Sequence, residues 1–402
     1  MSDVRVIGAG LSGLATAWYL TEAGARVEVV DAAARPGGLI RTAHTANGLV
    51  ESAARAFTAS ERVDALFKAI GVEPVGTLPA SRRRFIFRGG RPRRWPLSAG
   101  ETIAAAARAA SAWVRRDMRP RADEEETVAV WGRRVVGPAA TAWLIAPALQ
   151  GIYATTPEEL SAEAIFGGGR RPSGGGRLVA PHGGMGELVD RLHEALRAKG
   201  VTFAFDTRVD RIDASAPTAI CTDAPAAATL LAPHAPALAA AIGRIRTVSL
   251  VAVSAFFEPH ANDWRGLGVL FPRSSGVTAL GVLCNTEMFP DRGALRSETW
   301  IYGGSSIDAI QDQLMRDRAT LTGRTSIPLA LHITPHPDAL PAYDAAVVRA
   351  QAALAGLPGA MAIAGNYLGR LGVSKLIDGA AEAAARLSTP ARHLSSNARG
   401  LP

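Results

Sequence analysis

The sequence predicts an α/β protein: a Rossmann-like dinucleotide-binding domain, interrupted by an α+β substrate domain built on a mixed sheet and by a helical region. Three observations predict it. The first residues run strand, glycine-rich turn, helix, strand, acid. A second glycine pair, Gly37-Gly38, follows directly. Near the C-terminus the chain returns to an apolar strand over 360–364 and a helix from Val373 onward. At 402 residues, 48% of them hydrophobic, the chain can bury the cores of two domains.

The elements follow in order. Val4-Arg5-Val6-Ile7 is a short apolar strand. The turn Gly8-Ala9-Gly10-Leu11-Ser12-Gly13 leads into a helix pattern over 14–23, closed by Gly24. A second strand over 26–30 ends in Asp31. This is the dinucleotide fingerprint in its required context. Gly8 permits the tight turn, Gly10 lets backbone approach a pyrophosphate, and Gly13 lets the helix pack on the strand. The helix N-terminus offers free N–H groups and partial positive charge to phosphates. Asp31 is placed to accept hydrogen bonds from ribose hydroxyls, with Ala32 beside it. Residues 60–160 read as mostly helical, with a hairpin over 83–87 and 93–95 around Gly89-Gly90. A glycine-rich loop spans 167–176, a helix 187–198, and strands 201–205 and 208–212. The alanine-rich, uncharged segment 224–243 reads as a surface-crossing helical connection. Residues 244–330 alternate apolar strands and turns.

Charge is concentrated. Residues 82–134 hold 14 Arg against 6 acidic residues, an excess equal to the whole net charge of +8. Trp95, Trp113 and Trp131 are interleaved with them. That composition suits an anionic membrane surface, an acidic substrate, or a solvated helical face in an arginine-rich protein. No nucleic-acid recognition motif accompanies it. Residues 135–154 are uncharged, but Pro138 and Pro147 break the pattern of a spanning helix, so a buried or interfacial helix pair is expected. Cys221 and Cys284 lie far apart, which argues against a metal site or a disulfide framework and suits a reducing cytoplasm. The N-terminus opens on a glycine-punctuated strand rather than on a charged-then-apolar leader.

The segment Arg35-Pro36-Gly37-Gly38-Leu39-Ile40-Arg41-Thr42 resembles the R-x-G-G-x-x-x-T extension of FAD-binding amine-oxidase superfamily members. Four further segments extend the likeness. Leu149-Gln150-Gly151-Ile152-Tyr153-Ala154 with Pro157-Glu158-Glu159-Leu160-Ser161, Gly266 to Pro272, Gly281-Val282-Leu283 with Phe289-Pro290-Asp291-Arg292, and Ala364-Gly365-Asn366 through Gly372-Val373 occur in order along the chain. Together they resemble the protoporphyrinogen and coproporphyrinogen oxidase family of flavoenzymes.

That resemblance implies FAD as cofactor, a porphyrinogen as substrate, and oxygen or another electron acceptor. The flavin N5 takes a hydride from a methylene bridge in three rounds, so no catalytic side chain and no metal are assigned. The family implies cofactor contacts at Gly8, Ala9, Gly10, Leu11, Ser12, Gly13, Asp31, Ala32, Arg35, Gly38 and Arg41. It further implies Ala53, Ala54, Val209 on the second of the paired strands, and Leu371-Gly372-Val373 at a helix start facing the flavin N1–C2 edge. Arg84 matches the arginine that pairs with a propionate, and Gly151 lies in a substrate-facing segment. The implied order is an FAD-binding part over 1–58, a helical, membrane-associating region over 59–165, a second FAD-binding part over 166–215, a substrate domain over 216–345 and a last FAD-binding part over 346–402. A homodimer and peripheral attachment to a cytoplasmic membrane face stay open.

One departure stands out. The family's E-x-G-P-x-S/T reads Glu51-Ser52-Ala53-Ala54-Arg55-Ala56-Phe57 here, with alanines where glycine and proline lie against the flavin. Alanine takes positive φ only at a cost, so the backbone there is expected to differ. Two other readings follow: an amine oxidase-like enzyme, which would carry an aromatic pair at the flavin, and a catalytically impaired flavin- or tetrapyrrole-binding protein.

Overall fold

A computed structural model describes residues 3–122, 125–167, 177–213 and 215–388. Alternating apolar residues put Asp3–Ile7 at the centre of a five-stranded parallel sheet. Its order is Thr202–Ala204, Arg26–Val30, Asp3–Ile7, Thr218–Ile220, Met361–Ile363. Among them only Thr218–Ile220 is buried at every position, as a strand covered on both faces is. The helices Leu11–Glu22, Met185–Ala198 and Val373–Ser388 cover one face, closing a core that contains Leu14, Trp18, Leu188 and Ile377. The first helix begins at Leu11 rather than at 14, because Gly10 already stands at its N-cap.

The second sheet has seven strands in the order Ala330–Pro341, Thr247–Phe257, Arg296–Gly303, Gly281–Cys284, Gly268–Leu270, Arg84–Arg88, Arg91–Arg93. Among the described residues, only Gly268–Leu270 and Arg84–Arg88 of this sheet pair in parallel. One face packs Val253, Trp300 and Phe271 against the helix Ile310–Thr322, with the Phe271 and Trp300 rings stacked at 5.7 Å. The other face turns toward the cofactor domain. His336 on the longest strand reaches Ser52 O at 2.7 Å and ties the two parts together.

Several expectations are corrected. Residues 208–212 form no strand. After Asp206, which has φ 50°, the N–H groups of Asp206 and Thr207 bond to Ala33 O and Asp31 O, so the segment follows the loop after Arg26–Val30 instead of a ladder. Thr218–Ile220 belongs to the parallel sheet although it falls in the range assigned to the substrate domain. The hairpin's second strand is Arg91–Arg93, two residues early, because Gly89 and Gly90 both take positive φ and close a two-residue turn. The helices Ala224–Leu231 and Pro236–Gly243 are not a surface crossing. Their Ala227, Leu231, Leu238 and Ile242 build a core with Ala346 and Val347 of the helix Ala345–Ala353. Residues 138–153 form one run, with a π turn over Thr141–Ile145 between Pro138–Ala140 and Ala146–Tyr153. Among the described residues no helix is long and apolar enough to cross a membrane. The glycine-rich loop over 167–176 lies, apart from Gly167, outside the described residues.

Candidate functional site

A cleft of about 650 Å³ opens at the C-terminal ends of Asp3–Ile7 and Arg26–Val30. Ligands of open parallel sheets bind at such ends. The two glycine motifs form its floor and are bonded to each other, with Gly37 N donating to Ala9 O at 2.8 Å. Gly10, at the N-cap of Leu11–Glu22, supplies no side-chain bond to the first turn, so the helix's leading N–H groups face the cleft. A Cβ on Gly10 would meet nothing within 4 Å, so the cradle is open where a pyrophosphate would lie. A Cβ on Gly13 would fall 1.7 Å from Gly8 O, which is the close helix–strand packing expected of that glycine.

The cleft gathers Gly8, Gly10, Leu11, Ser12, Asp31, Ala32, Gly38 and Val209 on its walls. Ala9 and Gly13 stand buried behind them. The Asp31 carboxylate accepts from Ala9 N at 2.5 Å and from Ala33 N at 2.7 Å. It thus braces the turn, with lone pairs left for a ribose. Val209 lines the cleft from irregular chain rather than from a strand. Arg35 does not reach inward: its guanidinium bonds to Pro36 O and Gly38 O of its own loop. Arg41 is exposed and off the wall.

Ala53, Ala54 and Leu371 are partly buried, Gly372 exposed and Val373 buried, all outside the cleft wall. They continue it. Gly365, Asn366 and Leu376 line the cleft on either side of Leu371-Gly372-Val373, and Ser374 Oγ bonds to Thr58 O. Neither Ala53 nor Ala54 has positive φ, so the alanines sit in a backbone that differs from a glycine turn without strain.

A clasp that the motifs did not single out holds this segment. Glu51 accepts from the Thr42 hydroxyl at 2.7 Å and from Met185 N at 2.9 Å, and Thr42 Oγ accepts from Gly186 N at 2.7 Å. Burial pushes the Glu51 carboxyl above its usual range, against those bonds. Arg55 bonds to Ala53 O and Glu51 O, and burial draws its guanidinium down to about 10. The signal available in the sequence was Glu51 itself together with Gly183-Gly184-Met185-Gly186. Cys221 also lines the cleft, but burial raises its thiol to about 12, which leaves it inert.

On the substrate side, Arg84 is exposed at the start of Arg84–Arg88, opposite Gly268. Leu270, two residues along, pairs with Ile86, and a Cβ on Gly151 would lie 2.6 Å from its Cδ2. Strand alternation puts Arg84, Ile86 and Leu270 on one face, so Arg84 and Gly151 belong to the same side of the sheet. Nearby, the Tyr153 and Tyr343 rings pack at 4.8 Å, tilted by 51°, and Tyr343 donates to Asn366 O at 2.6 Å. Burial raises both phenols, so both stay neutral. Tyr367 lies within the C-terminal motif. It is fully buried in the helical core beside Ile363.

Comparison with known proteins agrees with this geometry. The family described as "flavin containing amine oxidoreductase" matches residues 11–387. The chloroplastic protoporphyrinogen oxidase of Oryza sativa subsp. japonica is 26% identical over 96% of this chain and 88% of its own length. A crystal structure from Exiguobacterium sp. 255-15, provisionally named protoporphyrinogen oxidase, superposes with a TM-score of 0.79 at 19% identity, covering 96% of this chain and 98% of that one. Cyclohexylamine oxidase from Brevibacterium oxydans IH-35A superposes at 0.73 and 20% identity, covering 96% and 98%.

Proposed function

The chain belongs to the flavin containing amine oxidoreductase family and is an FAD-dependent oxidoreductase, and on that premise we propose that it oxidises a porphyrinogen to the porphyrin. The observation that carries this reading is one cation at the edge of an apolar wall. Arg84 is exposed, Ile86, Leu270 and Ile301 of the same sheet are partly buried, and Gly151, lacking a side chain, lets the facing helix pack directly against Leu270. A flat apolar macrocycle with carboxylates on its rim matches such a surface, and a guanidinium holds a carboxylate in two bonds, fixing distance and rotation.

A bound FAD would supply the two-electron oxidations, with oxygen as the proposed final acceptor. The protein's residues orient and shield. The first turn of Leu11–Glu22 and the glycines of both motifs hold the diphosphate. The start of Val373–Ser388 would offer backbone N–H groups and a positive helix end to negative charge developing on a bound flavin. Tyr343 stays protonated at its hydroxyl, anchored on Asn366 O, and acts as a wall rather than as a base. Protoporphyrinogen IX and coproporphyrinogen III are both candidates: the arginine excess favours the one with four carboxylates, and the resemblance at Gly365–Tyr367 favours the other.

A second reading, an amine oxidase, is favoured by the Tyr153–Tyr343 pair, since an aromatic pair beside the flavin is its expected feature. The test is the rise of porphyrin fluorescence when the FAD-loaded protein meets each porphyrinogen in air, corrected for autoxidation. Acceleration with one of them is expected. No acceleration with either, alongside peroxide release from primary amines, would replace the first reading by the second.

A further inference from the structure

The helix Ala146–Tyr153 buries a polar side chain without a partner. Its buried residues are Pro147, Leu149 and Gln150, and Gln150 is only 5% exposed. Among the described residues the Gln150 amide makes no hydrogen bond, yet neither of its polar atoms is sealed from open space. An amide brings two donors and an acceptor, and a buried one ordinarily has them met. This one is left free for something that enters the site. No charged residue lies between 135 and 154, so nothing on its own stretch of chain calls for an ionic partner.

Helical spacing sets where the amide points. At 3.6 residues per turn, Gln150 projects about 60° from Tyr153 and about 100° from Gly151, on the arc between them. Tyr153 packs on Tyr343, whose hydroxyl is fixed on the carbonyl of Asn366, a residue of the cofactor cleft. Gly151 packs on Leu270. Two strand positions from Leu270, about 7 Å away, Gly268 stands opposite Arg84. Gln150 therefore lies between the cofactor end of the site and the anchoring arginine. A macrocycle held at its rim by Arg84 would bring its centre to this part of the site.

We propose that Gln150 is a substrate-binding residue whose amide oxygen accepts a hydrogen bond from the ring N–H groups of the macrocycle. The inference rests on the porphyrinogen reading of the site. A porphyrinogen carries its charge on rim carboxylates and presents neutral N–H donors at its centre, so Arg84 reads the rim and Gln150 the centre. The consequence is selectivity for metal-free tetrapyrroles. A ring whose nitrogens are filled by a metal has no N–H to give and leaves the amide buried without a partner, and a site built to receive an N–H rejects an analogue that lacks it.

The test titrates coproporphyrin III, protoporphyrin IX and the nickel complex of each into the FAD-loaded protein and reads Kd from the shift of the porphyrin absorption band. Nickel removes the N–H groups and, being square-planar, takes no oxygen ligand. Wild type is expected to bind a free porphyrin about five- to tenfold more tightly than its nickel complex, the value of one hydrogen bond. Gln150→Leu should abolish that preference, whereas Arg84→Ala should weaken both forms and keep it. Should leucine disturb the packing, Gln150→Met, unbranched and of similar length, asks the same question. No preference in the wild type overturns the proposal, as does a preference that survives in both Gln150 variants. A shifted flavin spectrum in those variants with the preference intact would assign the amide to the cofactor and overturn it too. Binding of none of the four compounds would remove the porphyrinogen reading and the inference together, whereas equal binding of free and nickel forms removes the inference alone.

Discussion

Arg84 is one of several exposed arginines in its stretch, and what distinguishes it is its strand. It begins the strand of the larger sheet that pairs in parallel with Gly268–Leu270, facing the same side as Gly151. If it holds a carboxylate, Arg84→Ala should raise KM for the porphyrinogen by roughly ten- to a hundredfold, the value of one charged hydrogen-bonded contact. Flavin content should not change, and Arg84→Lys should recover only part of the loss, because an ammonium cannot bind in two parallel bonds. Steady-state kinetics beside the flavin absorbance ratio checks this; unchanged KM removes the anchoring role. Gly10 gives the complementary case. Its missing side chain leaves the cradle empty, so Gly10→Val should purify colourless yet folded, since a Cβ there meets no protein atom within 4 Å. Full flavin occupancy in that variant would move the cofactor elsewhere. Both residues could be read from the chain, because each belongs to a local motif. Glu51 could not be ranked the same way. Its partners Thr42 and Met185 come from other segments, and only folding sets them around it.

Elements are held to one another by charge as well as by packing. Arg88 of the hairpin grips Glu101 of the helix Ala99–Val114, and that bond holds the Glu101 carboxyl down to about 2. A carboxyl depressed in the folded state contributes its stability above its ordinary range, near 4.5, and loses it as pH falls through the folded value. Wild type should therefore melt above Glu101→Gln at pH 6, and the gap should close between pH 4.5 and about 2. Parallel thermal melts across that range decide it, and a gap independent of pH would assign the difference to the helix cap instead. Deeper in the larger sheet, Glu298 is fully buried and accepts from Arg296, Arg318 and the Trp300 indole, joining a strand to the helix Ile310–Thr322. Removing one partner of a buried ionic group leaves the others uncompensated, so Glu298→Ala should cost about 3–5 kcal/mol in urea unfolding. A loss under 1 kcal/mol would mean that Asp263, which also faces Arg296, Arg318 and Arg324, suffices.

Across the whole molecule, the cofactor cleft is walled by distant parts of the chain. Gly10 and Asp31 come from the start, Val209 and Asp223 from the middle, Pro337 to Ala339 from the larger sheet, and Asn366 from the end. A ligand that bridges them binds only the folded state, so FAD should add about 4 kcal/mol of stability at a thousandfold excess over Kd and raise the melting temperature with its concentration. Differential scanning calorimetry of flavin-stripped protein titrated with FAD measures this, and a melting point insensitive to FAD would contradict a cleft shared by these parts.

By itself, the sequence determined the parallel-sheet start, both glycine motifs, Asp31, the return of the chain to the cofactor sheet at its end, and the resemblance that led to FAD. These features are local: a strand, a turn and a helix cap depend on residues within a few positions of one another, and their periodicity survives without the rest of the chain. Tertiary structure alone decided the rest. It took the strand away from 208–212, because the Asp31 and Ala33 carbonyls offered nearer partners. It moved Thr218–Ile220 into the cofactor sheet and turned an alanine-rich connection into core, because burial depends on what lies opposite. It paired Tyr153 with Tyr343, 190 positions apart, and turned the apolar side of Ala99–Val114 outward. Helical periodicity tells that a face exists; only the packed molecule tells which way it points.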